Sequence, residues 1–268
     1  MSLVQSDIVL AQDDNATQAK AKTEYQALLK KYEANRQDRQ FVRPFLELAE
    51  AYSGTASALD SLTWVLKRFE SGSHADRAIT LLIASHAGNP GIEQLYLHVG
   101  NNPSLKVDTF YRKVIAINKT ASAVGRAHFR LGNYLVRQSE IAREIRANPQ
   151  SVDKFNLFYG ADLTEYLQKV DLKKIREDAL EQFTVAVRKY GSVRNYKGEL
   201  SELAGREKFK ITKLTPADSS AGVFLKSSRH LRCQPRCPHR GSPRPPDPTR
   251  TAVGTPRLTM RIAFCKAA

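Results

Sequence analysis

The sequence predicts an all-α fold of stacked antiparallel helical hairpins, and three observations carry that prediction. Apolar residues recur at steps of three and four through most of the chain, the spacing that lays one stripe along an α-helix. No alternating apolar and polar run of the kind that makes a half-buried strand occurs before Thr215. Clusters of Gly, Pro, Asn and Ser punctuate the periodic segments, so the helices, about ten of them, are joined by short turns.

Taken in order, Asp13 to Arg36 is rich in Ala, Lys, Glu and Gln, with Ala21, Tyr25, Leu28, Leu29 and Tyr32 on one face, and reads as a largely exposed helix. A second helix is expected to begin near Pro44, a residue tolerated in a first turn, and carries Phe45, Leu48, Ala49 and Tyr52 before Ser53-Gly54 stops it. Thr55 is placed to cap a third, which bears Leu59, Leu62, Val65, Leu66 and Phe69 and ends at Ser71-Gly72-Ser73. Trp64 lies off that stripe and is expected to be buried against a neighbouring helix. Helices follow from Ala75 to about His86, from Ile92 to Val99 after the turn Gly88-Asn89-Pro90-Gly91, and from Val107 to Ile117. A long one then runs from Ala121 to about Asn148, with Val124, Ala127, Leu131, Leu135, Ala142 and Ile145 on one side and Pro149 at its end.

The best bounded segment begins at Leu172. Leu172, Ile175, Ala179, Phe183, Ala186, Val187 and Tyr190 make one stripe, Asp171 can accept the free N–H groups at its start, and Arg188 and Lys189 suit the negative end of its dipole. Gly191 is expected to end it in the left-handed conformation. A stripe of this width needs a partner helix.

Composition excludes several classes. The 268 residues can bury a core, and the formal charge of +15 is concentrated at one end: from Gly222 onward ten Lys and Arg face one Asp. Cys233, Cys237 and Cys265 all lie in that segment, so the body before it contains neither a disulfide nor a cysteine nucleophile. The longest apolar run, Ala78 to Ala84, is far short of the roughly 20 residues that span a bilayer. Residues 1–12 end in small residues similar to a signal-peptide cleavage site but lack a basic start. They read as an unprocessed leader, a start assigned inside a longer leader, or a frayed terminus.

Ala127 to Gln138, with its Leu131-Gly132 pair, resembles the first helix of a tetratricopeptide unit, and Ala179, Phe183 and Ala186 resemble the second. The repeat is degenerate: His128 stands for the consensus Trp, residues 140–170 separate the halves, and no regular period runs through the other helices. On a larger scale FLELAEAY followed by ALDSLTWVL, then RAHFRLGNYL, then YGADLTEYLQKVD with ALEQFTVAVRKYGSV, and last GELSELAGREKFKITKL resemble the N-terminal helical region of bacterial redoxin proteins of the TlpA-like or peroxiredoxin-like kind. The likeness covers roughly residues 40 to 214, and its motifs are packing and turn residues. It implies a helical scaffold or protein-interaction domain, residues 13–212, accompanying a thioredoxin-fold domain that performs thiol-disulfide or peroxide chemistry in a bacterial envelope or periplasm, with the cytoplasm as the alternative. Phe209 and Ile211 are among the apolar residues such a neighbour would cover, and their exposure without it would favour self-association.

That catalytic domain is absent from the sequence. Residues 213–268 form an Arg- and Pro-rich segment with almost no apolar periodicity, expected to be disordered and similar to out-of-frame translation. Cys233 and Cys237 are spaced one residue too far for a redox pair; with His230 and His239 nearby they are a candidate zinc set, but one that lacks a second half-site. The tail arginines could hold phosphate groups, though only Phe264 is interleaved for stacking. In the body His74, His86, His98 and His128 show no metal spacing. Gly125, Gly132, Gly198 and Gly205 make no phosphate loop, and Glu177, Asp178 and Glu181 belong to a solvated face. No catalytic, cofactor or metal residue is assigned. A protein partner is favoured over nucleic acid, and the alternatives are a thiol redox enzyme using the tail cysteines or a non-specific nucleic-acid binder.

Overall fold

Residues 4–195 and 197–213 are described by the structure, a computed structural model. Beyond Lys213, the predicted tail with its cysteines lies outside the described residues. Among the described residues the apolar stripes become eleven α-helices: α1 (Val4–Asn35), α2 (Asp38–Ala51), α3 (Ala56–Arg68), α4 (Ser73–Ser85), α5 (Tyr96–Asn101), α6 (Lys106–Ile117), α7 (Ala121–Ala147), α8 (Val152–Tyr159), α9 (Ala161–Lys169), α10 (Leu172–Tyr190) and α11 (Leu200–Lys213). The all-α class is as the periodicity predicts.

Several boundaries differ, each for a physical reason. Helix α1 starts well before Asp13, in a stretch with neither Gly nor Pro to interrupt it. Helix α2 starts at Asp38, so Pro44 lies inside it. Its first turn is held from outside: Tyr32 donates its hydroxyl to Asp38 at 2.7 Å and Arg68 pairs with the same carboxylate at 3.2 Å. Pro90 opens a 3-10 turn, Pro90–Leu95, whose Gly91 N–H is met by the Asn89 side chain, and only then does α5 begin. The segment before Thr215 is also not wholly free of strands: Arg194–Asn195 pairs antiparallel with Gly198–Glu199.

Helices α1 to α4 close over an aromatic cluster. Trp64, 5 % exposed, stacks on Phe45 at 4.1 Å and meets the edge of Tyr32 at 5.0 Å, so the expected burial holds. Thr55 caps α3 as predicted, accepting from the Ala58 N–H at 3.1 Å. Helices α5 and α6 add a second aromatic set in which Tyr111 donates to the Tyr96 carbonyl and Tyr96 to that of Ala123. Burial pushes both phenols far above their ordinary range, which keeps them neutral donors. Asn118 ties two turns together, donating to the carbonyls of Ala87 and Asn89 and accepting from the Thr120 N–H. A separate small core joins Ile141, Ala142 and Ile145 of α7 to Leu163 and Leu167 of α9.

Candidate interaction surface

The candidate surface rests on the seam between α7 and α10. Ala127, Leu131 and Leu135 of α7 face Ile175, Ala179, Phe183 and Ala186 of α10, all buried, so the partner helix that the α10 stripe demands is α7. Two glycines set the approach. A Cβ placed on Gly132 would lie 2.7 Å from the Phe183 ring, and one on Gly125 would lie 2.6 Å from Tyr190 Cβ, so neither position has room for a side chain. One polar pair sits in this apolar seam: His128 Nδ1 and Gln182 Oε1 are 2.7 Å apart, with the imidazole stacked on Tyr190. Burial holds His128 below its ordinary value, and the bond to Gln182 works against that shift.

Asp171 caps α10 as predicted, accepting from the N–H groups of Lys173 and Lys174. Gly191 does not end it by turning left-handed. Its φ of −57° is helical, and the chain leaves the helix because later backbone groups take over: Val193 N–H bonds Tyr190, and Ser201 N–H bonds the Gly191 carbonyl at 3.0 Å. The reversal is made instead at Gly198, whose φ of 138° few other residues tolerate. Arg126 of α7 straps the ribbon down by donating to the Arg194 carbonyl through Nε and Nη2 while its Nη1 lies 3.4 Å from Glu93.

This ribbon aims α11. Leu200, Ala204 and Ile211, at steps of four and seven, turn one face of α11 into the core. Ile211 is therefore buried, contrary to the expectation that it awaits a neighbour, whereas Phe209 is 57 % exposed. The same helical arithmetic puts exposed Ser201, Phe209 and Thr212 on the opposite side, with Gly205 and Lys208 half-buried beside them. Around them Glu202 pairs with Arg206 and Glu207 with Lys210, and the Lys213 ammonium lies 4.4 Å from the Phe209 ring centroid.

The remaining residues singled out from the sequence stay apart. His74 is exposed beside Phe69, His98 is half-buried, and His86 is buried with its Nδ1 unpartnered among the described residues. Among the described residues no group of three or more His, Cys, Asp or Glu is placed to hold a metal ion. Glu177 pairs with Lys173, Asp178 with Arg112, and Glu181 is exposed, the solvated face the pattern predicts. Sequence reasoning missed an open groove of about 400 Å³ lined by Glu50, Ser73, Asp76, Arg77 and Lys106. Both of its cations are already engaged: Arg77 donates two bonds to Glu50 at 2.8 and 2.5 Å, and Lys106 donates to the Asp76 carbonyl at 3.4 Å. No described helix is long and apolar enough to cross a membrane. Compared with known proteins, the chain matches no family model, no curated protein and no solved structure.

Proposed function

We propose that the helical body is a non-catalytic scaffold, a tetratricopeptide-like protein-interaction domain of a redoxin-type, thiol-disulfide oxidoreductase-like protein. Exposed Phe209 is the observation that carries this reading. The large aromatic lies on the helix that, in the resemblance, stands just before the thioredoxin-fold domain, and the start of that helix is fixed by a strapped turn. The motifs that carry the resemblance also act here as packing and turn groups. Leu131, Gly132 and Phe183 form the seam, and GELSELA supplies the reversal at Gly198 and the buried Leu200 and Ala204. A bacterial envelope or periplasmic setting follows from the resemblance alone.

An insulin-reduction assay on the full chain separates this reading from a thiol enzyme. Turnover should not exceed that of free cysteine at the same thiol concentration. Turnover well above that level and abolished by Cys233→Ser would place catalysis in the tail and defeat the scaffold reading.

A further inference from the structure

Glycine in the middle of an exposed helix is unfavourable, since it adds backbone freedom to the unfolded state and covers no surface. Gly125 and Gly132 of α7 have an internal reason, because a side chain there would strike Tyr190 or Phe183. Gly205 of α11 has none: a Cβ built on it meets nothing within 4 Å. One turn later on the same face stands Phe209, 57 % exposed, and one turn earlier the small, exposed Ser201. A bare strip of helix ending in a large aromatic is the form of a helix-docking face, where the small residues admit a close approach and the ring anchors it.

Charge selects the occupant. The carboxylates of α11 are used internally, Glu202 by Arg206 and Glu207 by Lys210, which leaves Lys208 and Lys213 without a carboxylate partner among the described residues. A second copy apposed through this face would bring like charges together around Phe209, and the chain's own segment after Gly222 carries ten cations against one Asp. We infer that the Ser201–Gly205–Phe209 face of α11 docks an acidic amphipathic helix of a protein partner, its apolar side on Phe209 and Gly205 and its carboxylates on Lys208 and Lys213. The inference rests on the body being an interaction module, and not on the redoxin resemblance.

The test uses the full chain and a fluorescein-labelled synthetic helix of about 20 residues, Leu on one face and Glu on the other. Anisotropy is read in about 0.3 M salt, where screening within roughly 6 Å suppresses diffuse attraction to the basic tail. Phe209→Ser should weaken binding about tenfold or more while shifting Tm by no more than about 1 °C. Gly205→Gln should weaken it about tenfold while raising Tm by about 2 °C, a combination that a purely structural role does not produce. The proposal is overturned if the unmodified chain binds without saturation, or if both variants bind within about twofold of it. It is equally overturned if the two substitutions weaken binding to phosphatidylglycerol vesicles or to an oligonucleotide while leaving the peptide unaffected. Because catalysis is not read, a negative result leaves the insulin assay to decide the scaffold reading independently.

Discussion

Replacing Gly132 by Ala tests the α7–α10 seam, because two opposing effects of known size meet at one atom. In an open helix the change stabilises by about 1 kcal/mol, the propensity difference between the residues. Here the new methyl group would sit 2.7, 2.8 and 2.9 Å from three carbons of the Phe183 ring, and that ring is fully buried. Overpacking of this kind costs about 1–3 kcal/mol and more when backbone must move, so against the propensity gain the net effect should be a loss of up to about 2 kcal/mol. Urea unfolding should show a lower midpoint at unchanged slope. In a Phe183→Ala background, itself destabilised by about 3–5 kcal/mol, the clash is gone and Gly132→Ala should stabilise by about 1 kcal/mol. That reversal of sign is the decisive outcome. If Gly132→Ala stabilises the parent chain, or has the same sign in both backgrounds, the close approach of α7 and α10 through Phe183 is wrong.

Three further outcomes follow from the same structure. Burial lowers the imidazole values of His86, His98 and His128, so the unfolded chain, with values near about 6.5, takes up protons first on acidification. The associated stability is complete above about pH 6.5 and falls as the pH drops from there toward the lower folded values, so Tm should decline as the pH falls below about 6.5, less steeply in His86→Leu; a flat profile contradicts the burial. Thr55→Ala removes the cap on α3 and should cost about 1 kcal/mol, with faster amide exchange at Ala58; unchanged exchange there would contradict the cap. Trp64 is the only tryptophan, 5 % exposed between Phe45 and the Arg68 guanidinium, so its emission should be blue-shifted and resist acrylamide until the chain unfolds; quenching like that of free tryptophan contradicts its packing.

Much of the fold was legible because it is written in local pattern. The caps Thr55 and Asp171 precede their stripes directly, and Leu131 and Phe183 fall at the centres of theirs, so the signal lies within one or two helical turns. The start of α2 was not legible because Asp38 is held by Tyr32 and Arg68, contacts that exist only after folding. Gly191 misled for a similar reason, since its carbonyl is claimed by Ser201 across the ribbon and no left-handed turn is needed. Gln182 escaped notice because a polar residue on an apolar stripe looks like an interruption, and only the facing His128 explains it. The open face of α11 carried a usable signal: counting from Leu200, Ile211 keeps the period and Phe209 breaks it, which separates the buried residue from the exposed one.

The proposal that the body belongs to a redoxin-type protein is tested most directly by determining the coding DNA past the codon for Pro216 and translating all three frames. The account predicts that another frame continues into alternating apolar strands and then a cysteine at the start of a helix, where the dipole stabilises a thiolate. If stop codons close every other frame, the basic segment is the genuine continuation, and the redoxin reading of the helical body is contradicted.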